Sequence, residues 1–215
     1  MLTRGGTTYT WTQGRRLSGV ENGKSIKYLY DHTGARVKKT VDNTVTEYQW
    51  AGDLLLSEKT DGRIIWYCYD SQANLISVTI RGITYFYVRN VQGDIIALVD
   101  ADGKVVVKYT YDSWGKVVAV TGELADTVGV QNPFRYKGYY YDNETGMYYL
   151  KSRYYDAEIK RFICADVGIT NIIKDTKGNN LFCYCFNNPL NMKDMSVNWP
   201  KWIRNFGKTV KNTIK

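Results

Sequence analysis

One histidine, His32, stands in the 215 residues. Chemistry that needs two imidazoles is therefore excluded, including the paired-histidine metalloprotease motif and two-cysteine, two-histidine zinc sites. The four cysteines, Cys68, Cys164, Cys183 and Cys185, form no C-x-x-C pair, so metal-binding and dithiol spacings are both missing. A thiol nucleophile at Cys164 needs a base, and its one possible histidine partner is far off in sequence. Cys183 and Cys185 alternate with Phe182, Tyr184 and Phe186, which reads as a strand with both thiols on one face, acting as small apolar groups. The conspicuous supply is tyrosine, 19 residues in all. Tyr139, Tyr140, Tyr141, Tyr148, Tyr149, Tyr154 and Tyr155 offer a stacking platform for sugars or bases. The alternative, which we favour, packs these rings between sheet layers with their hydroxyls at the rim.

Composition narrows the setting. Hydrophobic residues at 44% and charged residues at 23% describe a folded chain, long enough for one extended all-β domain or two small ones. Lys and Arg number 29 against 21 acids, a net charge of +8. The excess is spread along the chain, as suits solubility, and predicts no specific nucleic-acid partner. Only residues 199–215 differ: Lys201, Arg204, Lys208, Lys211 and Lys215 are basic and none is acidic. The amino end lacks an apolar signal core, so the chain is expected to carry no export signal of its own. No cofactor and no metal are expected.

The elements that must position any site come from a repeat. Pairs of long side chains one residue apart occur at Tyr9 and Trp11, Tyr28 and Tyr30, Tyr48 and Trp50, Tyr67 and Tyr69, Tyr87 and Arg89, and Tyr109 and Tyr111, at spacings of 19, 20, 19, 20 and 22. The fuller unit is Y-x-Y-D-x-x-G followed by alternating residues. Asp31, Asp70, Asn90 and Asp112 can each bond the backbone two residues on, and Gly34, Gly93 and Gly115 tolerate positive φ. In the unit at Tyr67, Ala73-Asn74 replaces the glycine, and Asn is expected to take the left-handed conformation. Each unit is thus a β-hairpin, with Asp61-Gly62 and Asp102-Gly103 as two-residue turns onto the next. A helical repeat is the rival, and the frequent Gly, Tyr, Val and Thr oppose it. The expected fold is all-β, a long winding antiparallel sheet.

These hairpins resemble the YD repeats of RHS proteins, relatives of the toxin-complex C components and the teneurin shell. The stretch NPFRYKGYYYDNETGMYYLKSRYYDAEIKRFICADVG is similar to the RHS repeat-associated core, and NNLFCYCFNNPLNMKDMS is similar to that core's end. The resemblance covers roughly residues 5 to 198. It implies three parts: hairpin repeats over 1–132, the core over 133–198 and a basic tail over 199–215. It implies a hollow β-shell, secreted or on the cell surface, that encloses a carboxy-terminal toxin in bacterial competition. The partners it implies are upstream RHS repeats, the toxin segment and an immunity protein against that cargo.

The resemblance also implies self-cleavage at the end of the core by two aspartates helped by an arginine. Mapped here, these are Arg153 in SRYYD, Asp166 in RFICADVG and Asp194 in MKDMS, with the cut near Asn198. Two carboxylates held close do not both ionise, so one serves as acid and the other activates water. Val167 and Met195 stand where proline is usual, and Val197 replaces a glycine, so the motif is degraded. The bland reading of both aspartates is as turn formers, with Arg153 an ion-pair partner. In the tail, Trp199, Trp202, Ile203, Phe206, Val210 and Ile214 make one helical stripe with basic residues around it. That pattern fits docking on the shell or seeking a membrane surface.

Overall fold

The computed structural model describes residues 1–12, 16–165 and 180–192. Thirteen strands follow one another in a single antiparallel sheet whose spatial order is the chain order. They are β1 (Leu2–Arg4), β2 (Thr7–Thr12), β3 (Arg16–Glu21), β4 (Ser25–Tyr30), β5 (Arg36–Val41), β6 (Thr44–Ala51) and β7 (Leu54–Thr60). Then come β8 (Arg63–Tyr69), β9 (Leu75–Ile80), β10 (Ile83–Arg89), β11 (Ile95–Val99), β12 (Val105–Tyr111) and β13 (Val117–Thr121). Alternation sets the faces: β4 buries Ile26 and Tyr28 and exposes Lys27 and Leu29, as a strand with one covered face requires.

The turn acids act as the spacing predicts. One side-chain oxygen each of Asp31, Asp70, Asn90, Asp100 and Asp112 accepts the backbone N–H groups two and four residues on, at 2.7–3.0 Å. Asp61 and Gly62 both take positive φ, 49° and 78°, giving the two-residue turn. Two expectations change. Asp102-Gly103 is no two-residue turn, because Asp100 organises a longer one. The left-handed residue after Asp70 is Ala73, at φ 66°, while Asn74 uses its amide to bond the Asp70 carboxylate at 2.7 Å.

The second residue of every pair lies at a β-bulge, where the register shifts by one. Facing Trp11, Tyr30, Trp50, Tyr69, Arg89 and Tyr111 across these bulges are Leu17, Arg36, Leu55, Leu75, Ile95 and Val117. Each of the last five donors then reaches back one hairpin. Tyr30 Oη donates to the Leu17 carbonyl at 2.6 Å, and Trp50 Nε1 to that of Arg36 at 2.8 Å. Tyr69 Oη bonds the Leu55 carbonyl at 2.9 Å, Arg89 Nη2 that of Leu75 at 2.8 Å, and Tyr111 Oη that of Ile95 at 2.7 Å. The repeat thus needs a long side chain ending in a donor. Tyr, Trp and Arg share that property, and each stitch contributes about 1 kcal/mol.

A second antiparallel sheet, β14 (Tyr140–Asp142), β15 (Met147–Tyr149), β16 (Tyr154–Asp156) and β17 (Arg161–Phe162), packs on one face of the first. The large sheet must curl around it. Laid flat, thirteen strands would span ~58 Å. Yet Asp156 pairs with Arg4 on β1, and Glu158, two residues on, pairs with Lys116 at the entry to β13. Between the sheets lie Tyr28 against Tyr154, Tyr48 against Tyr140 and Tyr67 against Phe134, with ring centroids 4.9–5.7 Å apart.

Of the seven tyrosines expected to pack, Tyr139, Tyr140, Tyr148, Tyr149, Tyr154 and Tyr155 are buried and Tyr141 is half-buried. Tyr140, Tyr149 and Tyr154 lie in the core between the sheets and Tyr139, Tyr148 and Tyr155 in a second cluster. Their hydroxyls, expected at the rim, are bonded inside at Tyr140, Tyr148 and Tyr149. The hydroxyls of Tyr136, Tyr155 and Tyr148 donate to the carbonyls of Ser113, Trp114 and Gly115 in the turn before β13. The strand expected over Phe182–Phe186 is not formed. Cys183 makes one isolated bridge to Arg161, after which Cys185, Phe186 and Asn187 all take positive φ and curl into a helical turn. Cys185 is consequently buried while Cys183 is only half-buried. His32 is exposed in its turn, as expected.

Candidate functional site

The seam between the sheets concentrates the buried charge. Five of the six residues facing a bulge are apolar, and the sixth, Arg36, is 1% exposed. Its guanidinium grips Asp142 of β14 through Nη1–Oδ2 at 2.5 Å and Nη2–Oδ1 at 3.1 Å. The rings of Tyr28, Tyr48, Tyr140 and Tyr149 surround it, their centroids 4.4–5.3 Å from the guanidinium carbon. Lys39 Nζ adds a second cation, 3.1 Å from Asp142 and 3.0 Å from Glu144. Burial pushes the Asp142 carboxyl up, but Arg36 and Lys39 outweigh it and hold the group below the usual carboxylate range. A carboxylate held this way locks two elements together and does not shuttle protons.

Glu58 on β7 is the opposite case. It is buried and accepts the hydroxyls of Tyr67, at 2.8 Å, and Tyr140. Burial raises its pKa, and the bonds from Tyr140 and Tyr67 with nearby Lys39 offset this only in part. Glu58, Lys39 and Tyr140 also line a cleft of about 690 Å³, whose lining includes Arg63 and Arg81. Among the described residues, no group of three or more His, Cys, Asp or Glu side chains is placed to hold a metal.

The other junction lies at the turn between β10 and β11. The pair Asp70 and Asn74 recurs there in reverse, as Asn90 and Asp94, with the amide again on the carboxylate at 2.6 Å. The exchange places a carboxylate at buried Asp94, where it accepts the backbone N–H of Lys137 at 2.9 Å. Lys137 is itself buried and points Nζ at the carbonyls of Pro189, 2.6 Å away, and Met192, 2.8 Å away.

Of the residues expected to cleave, Asp166 and Asp194 lie outside the described residues. Arg153 is buried, its guanidinium carbon 3.5 Å from the centroid of the Phe162 ring. The two stretches leading toward the aspartates meet on one side chain. Tyr184 packs 5.7 Å from Phe162, four residues before Asp166, and 5.7 Å from the ammonium of Lys137, which holds the carbonyl two residues before Asp194. Sequence reasoning missed Arg36, Lys39, Glu58 and Lys137. A signal existed for two of them: Lys39 pairs with Tyr28 and Glu58 with Tyr48, so strand pairing alone turns them inward. Lys137 had none, since its contacts depend on a loop closing from more than 50 residues away.

A family model described as the teneurin YD-shell matches residues 1–191. The chain is 37% identical over 208 residues to the tRNA nuclease WapA of Bacillus subtilis strain 168 and 36% identical over 208 residues to the tRNA3(Ser)-specific nuclease WapA of Bacillus spizizenii. Each alignment covers 93% of this chain and 9% of the relative, so the chain spans under a tenth of those proteins. Among solved structures, the crystal structure of TcdB2-TccC3-Cdc42 superposes with a TM-score of 0.71 at 19% identity, over 89% of this chain and 10% of the other. The crystal structure of TcdB2-TccC3-TEV gives 0.70 at 18%, over 88% and 10%. At that identity the likeness is one of fold.

Proposed function

The chain belongs to the teneurin YD-shell family, and from that membership we propose that it is the closing stretch of an RHS shell enclosing a toxin segment that follows the core. We read 1–132 as wall, 133–198 as core and 199–215 as the start or remnant of that segment. The observation that carries this reading is the lock of Arg36 and Lys39 on Asp142, which gives the sheet a dedicated inner face. Resemblance to proteins named tRNA nucleases supports a toxic cargo, and with it an immunity protein and a secreted or cell-surface setting. The tail's apolar stripe, with basic residues around it, adds a membrane surface as a further partner.

Upstream repeats are part of the proposal. The acceptor of each stitching bond is the residue opposite the one before the donor, so for Trp11 it is Met1, next beyond the Leu2–Tyr9 pair. The Trp11 indole N–H is buried without a partner, and Met1 is 91% exposed. A preceding hairpin would seat that carbonyl. Electron cryomicroscopy of the whole polypeptide tests the reading: a closed hollow shell with β14–β17 inside is expected, and an open or extended sheet would overturn it.

A second reading, aspartate-dependent self-cleavage, is favoured by the convergence on Tyr184. In it, water adds to the scissile carbonyl while the ionised aspartate takes a water proton. The protonated aspartate gives its proton to the departing amine, one water being consumed. Intact-mass measurement of fresh protein should show loss of the segment after the core in the wild type and its retention in Asp166→Asn. Full-length mass in both would remove this reading and leave the shell.

A further inference from the structure

The residues opposite the first aromatic of each repeat pair are Val20, Lys39, Glu58, Val78, Leu98 and Val120. Four are aliphatic, as a packed inner face requires, and two neighbours in the series are charged. From these two, rows of paired residues run across the next strands: Lys39, Thr46 and Thr60, then Glu58, Ile65 and Ile80. Both rows line the cleft of about 690 Å³, a volume within the ~300–1,000 Å³ of ligand pockets. The Thr46 and Thr60 hydroxyls bond each other at 2.7 Å. That bond uses one of their two hydrogens and leaves the other to donate.

The turns before β4, β6, β8 and β10 share one end of the strands, because the sheet is antiparallel and ordered as the chain is. Asp42 and Asp61 take the left-handed first position of two of these turns, at φ 52° and 49°, where a short polar side chain can bond locally. Before β10 that position is Arg81, at φ 54°, and an arginine has no such local bond to gain. Arg81, Arg63 and Lys24 are exposed cations lining the cleft. Among the described residues, none of the three joins an ion pair. The acids of the cleft are already engaged: Asp42 accepts the Ser25 N–H at 2.9 Å, Glu144 holds Lys39, and Glu58 accepts two tyrosine hydroxyls. Free positive charge thus stands beside aliphatic and hydroxyl surface. Nucleic acid would stack its bases on open rings, but the rings lining this cleft, Tyr140 and Tyr141, pack against Tyr48 and Tyr148.

We propose that the cleft is a docking site for an acidic segment of polypeptide. Its carboxylates meet Lys24, Arg63 and Arg81, an aliphatic side chain covers Ile65 and Ile80, and a carbonyl accepts the spare threonine hydrogen. Neither a closed shell nor self-cleavage is needed for it.

Fluorescence anisotropy of the full chain with a labelled peptide of alternating aspartate and leucine tests the site. The rival probes are alternating lysine and leucine, alternating aspartate and serine, and a single-stranded oligonucleotide. The first peptide should bind at least about tenfold more tightly than each rival, since it alone matches both charge and apolar surface. Arg63→Glu with Arg81→Glu should weaken it at least about tenfold. Lys27→Glu with Lys108→Glu makes the same charge change on exposed residues of β4 and β12, and should weaken it less than about twofold. Thr60→Val, which removes one hydroxyl, should weaken it about fivefold. Bound peptide should slow amide exchange in the turns at 42–44, 61–63 and 81–83. A rival probe that binds as tightly, equal losses from the two charge reversals, or unchanged exchange at those turns would overturn the site. Should Arg63→Glu with Arg81→Glu fail to fold, Arg63→Gln with Arg81→Gln takes its place. A loss of at least about threefold is then expected, and no loss would contradict the site.

Discussion

Replacing Arg36 with leucine restores the residue type found at Leu17, Leu55 and Leu75, and by the logic of the repeat it should be harmless. The seam predicts the opposite. Arg36→Leu leaves Asp142, which has no solvent exposure, with Lys39 as its remaining cationic partner. It also empties the space between four tyrosine rings of its charge. Breaking a buried pair from one side costs about 3–5 kcal/mol, a large share of the ~5–15 kcal/mol that holds a typical domain together. Replacing both partners, Arg36→Leu with Asp142→Leu, removes the stranded charge and should recover most of that loss. Urea unfolding followed by tryptophan fluorescence at pH 7 gives the cycle. The acid limb supplies a second reading. Asp142 titrates lower in the fold than unfolded, so its contribution is full above the unfolded value near pH 4 and is lost as pH falls through the folded value. Arg36→Leu should lose that acid-sensitive component. A single variant costing under about 1 kcal/mol, or a double variant as damaged as the single, would refute the ion lock as what docks the core.

Four further outcomes follow from local geometry. Gly115→Ala would set a Cβ 2.3 Å from Tyr136 Cδ1 at φ 88°, so a loss of about 2–4 kcal/mol in thermal or urea unfolding is expected. Ala73→Gly, relieving φ 66°, should gain about 1 kcal/mol in the same assay. Tyr69→Phe should cost about 1 kcal/mol for its lost bond to Leu55, whereas Trp11→Phe removes a donor that has no acceptor and should cost less. Glu58 holds its proton more tightly folded than unfolded, so its contribution falls as pH rises above its unfolded value near 4.5. Unfolding measured across pH should show Glu58→Gln without that decline.

The hairpins were legible because they rest on local chemistry. A turn aspartate bonds amides two and four residues on, and alternation decides which side chains face inward. The long-range stitches were half legible: a donor-tipped side chain recurs every twenty residues, but its acceptor is found only once the bulges are known. Cys183 to Asn187 misled, because alternating Phe and Cys suits a strand, whereas three successive left-handed residues dictated by docking on Phe162 and Tyr139 make a turn. Arg36 was hidden for a related reason. An arginine after a turn looks solvent-exposed until its partner, Asp142, arrives from 106 residues away.

The claim of an enclosing wall is tested most directly by asking which face meets the segment after the core. A photo-activatable phenylalanine placed at position 206 of the whole polypeptide should cross-link to inward side chains around the cleft, such as Thr46 and Ile65. Adducts confined to Trp66 and Phe86, which are exposed on the opposite face, would contradict it.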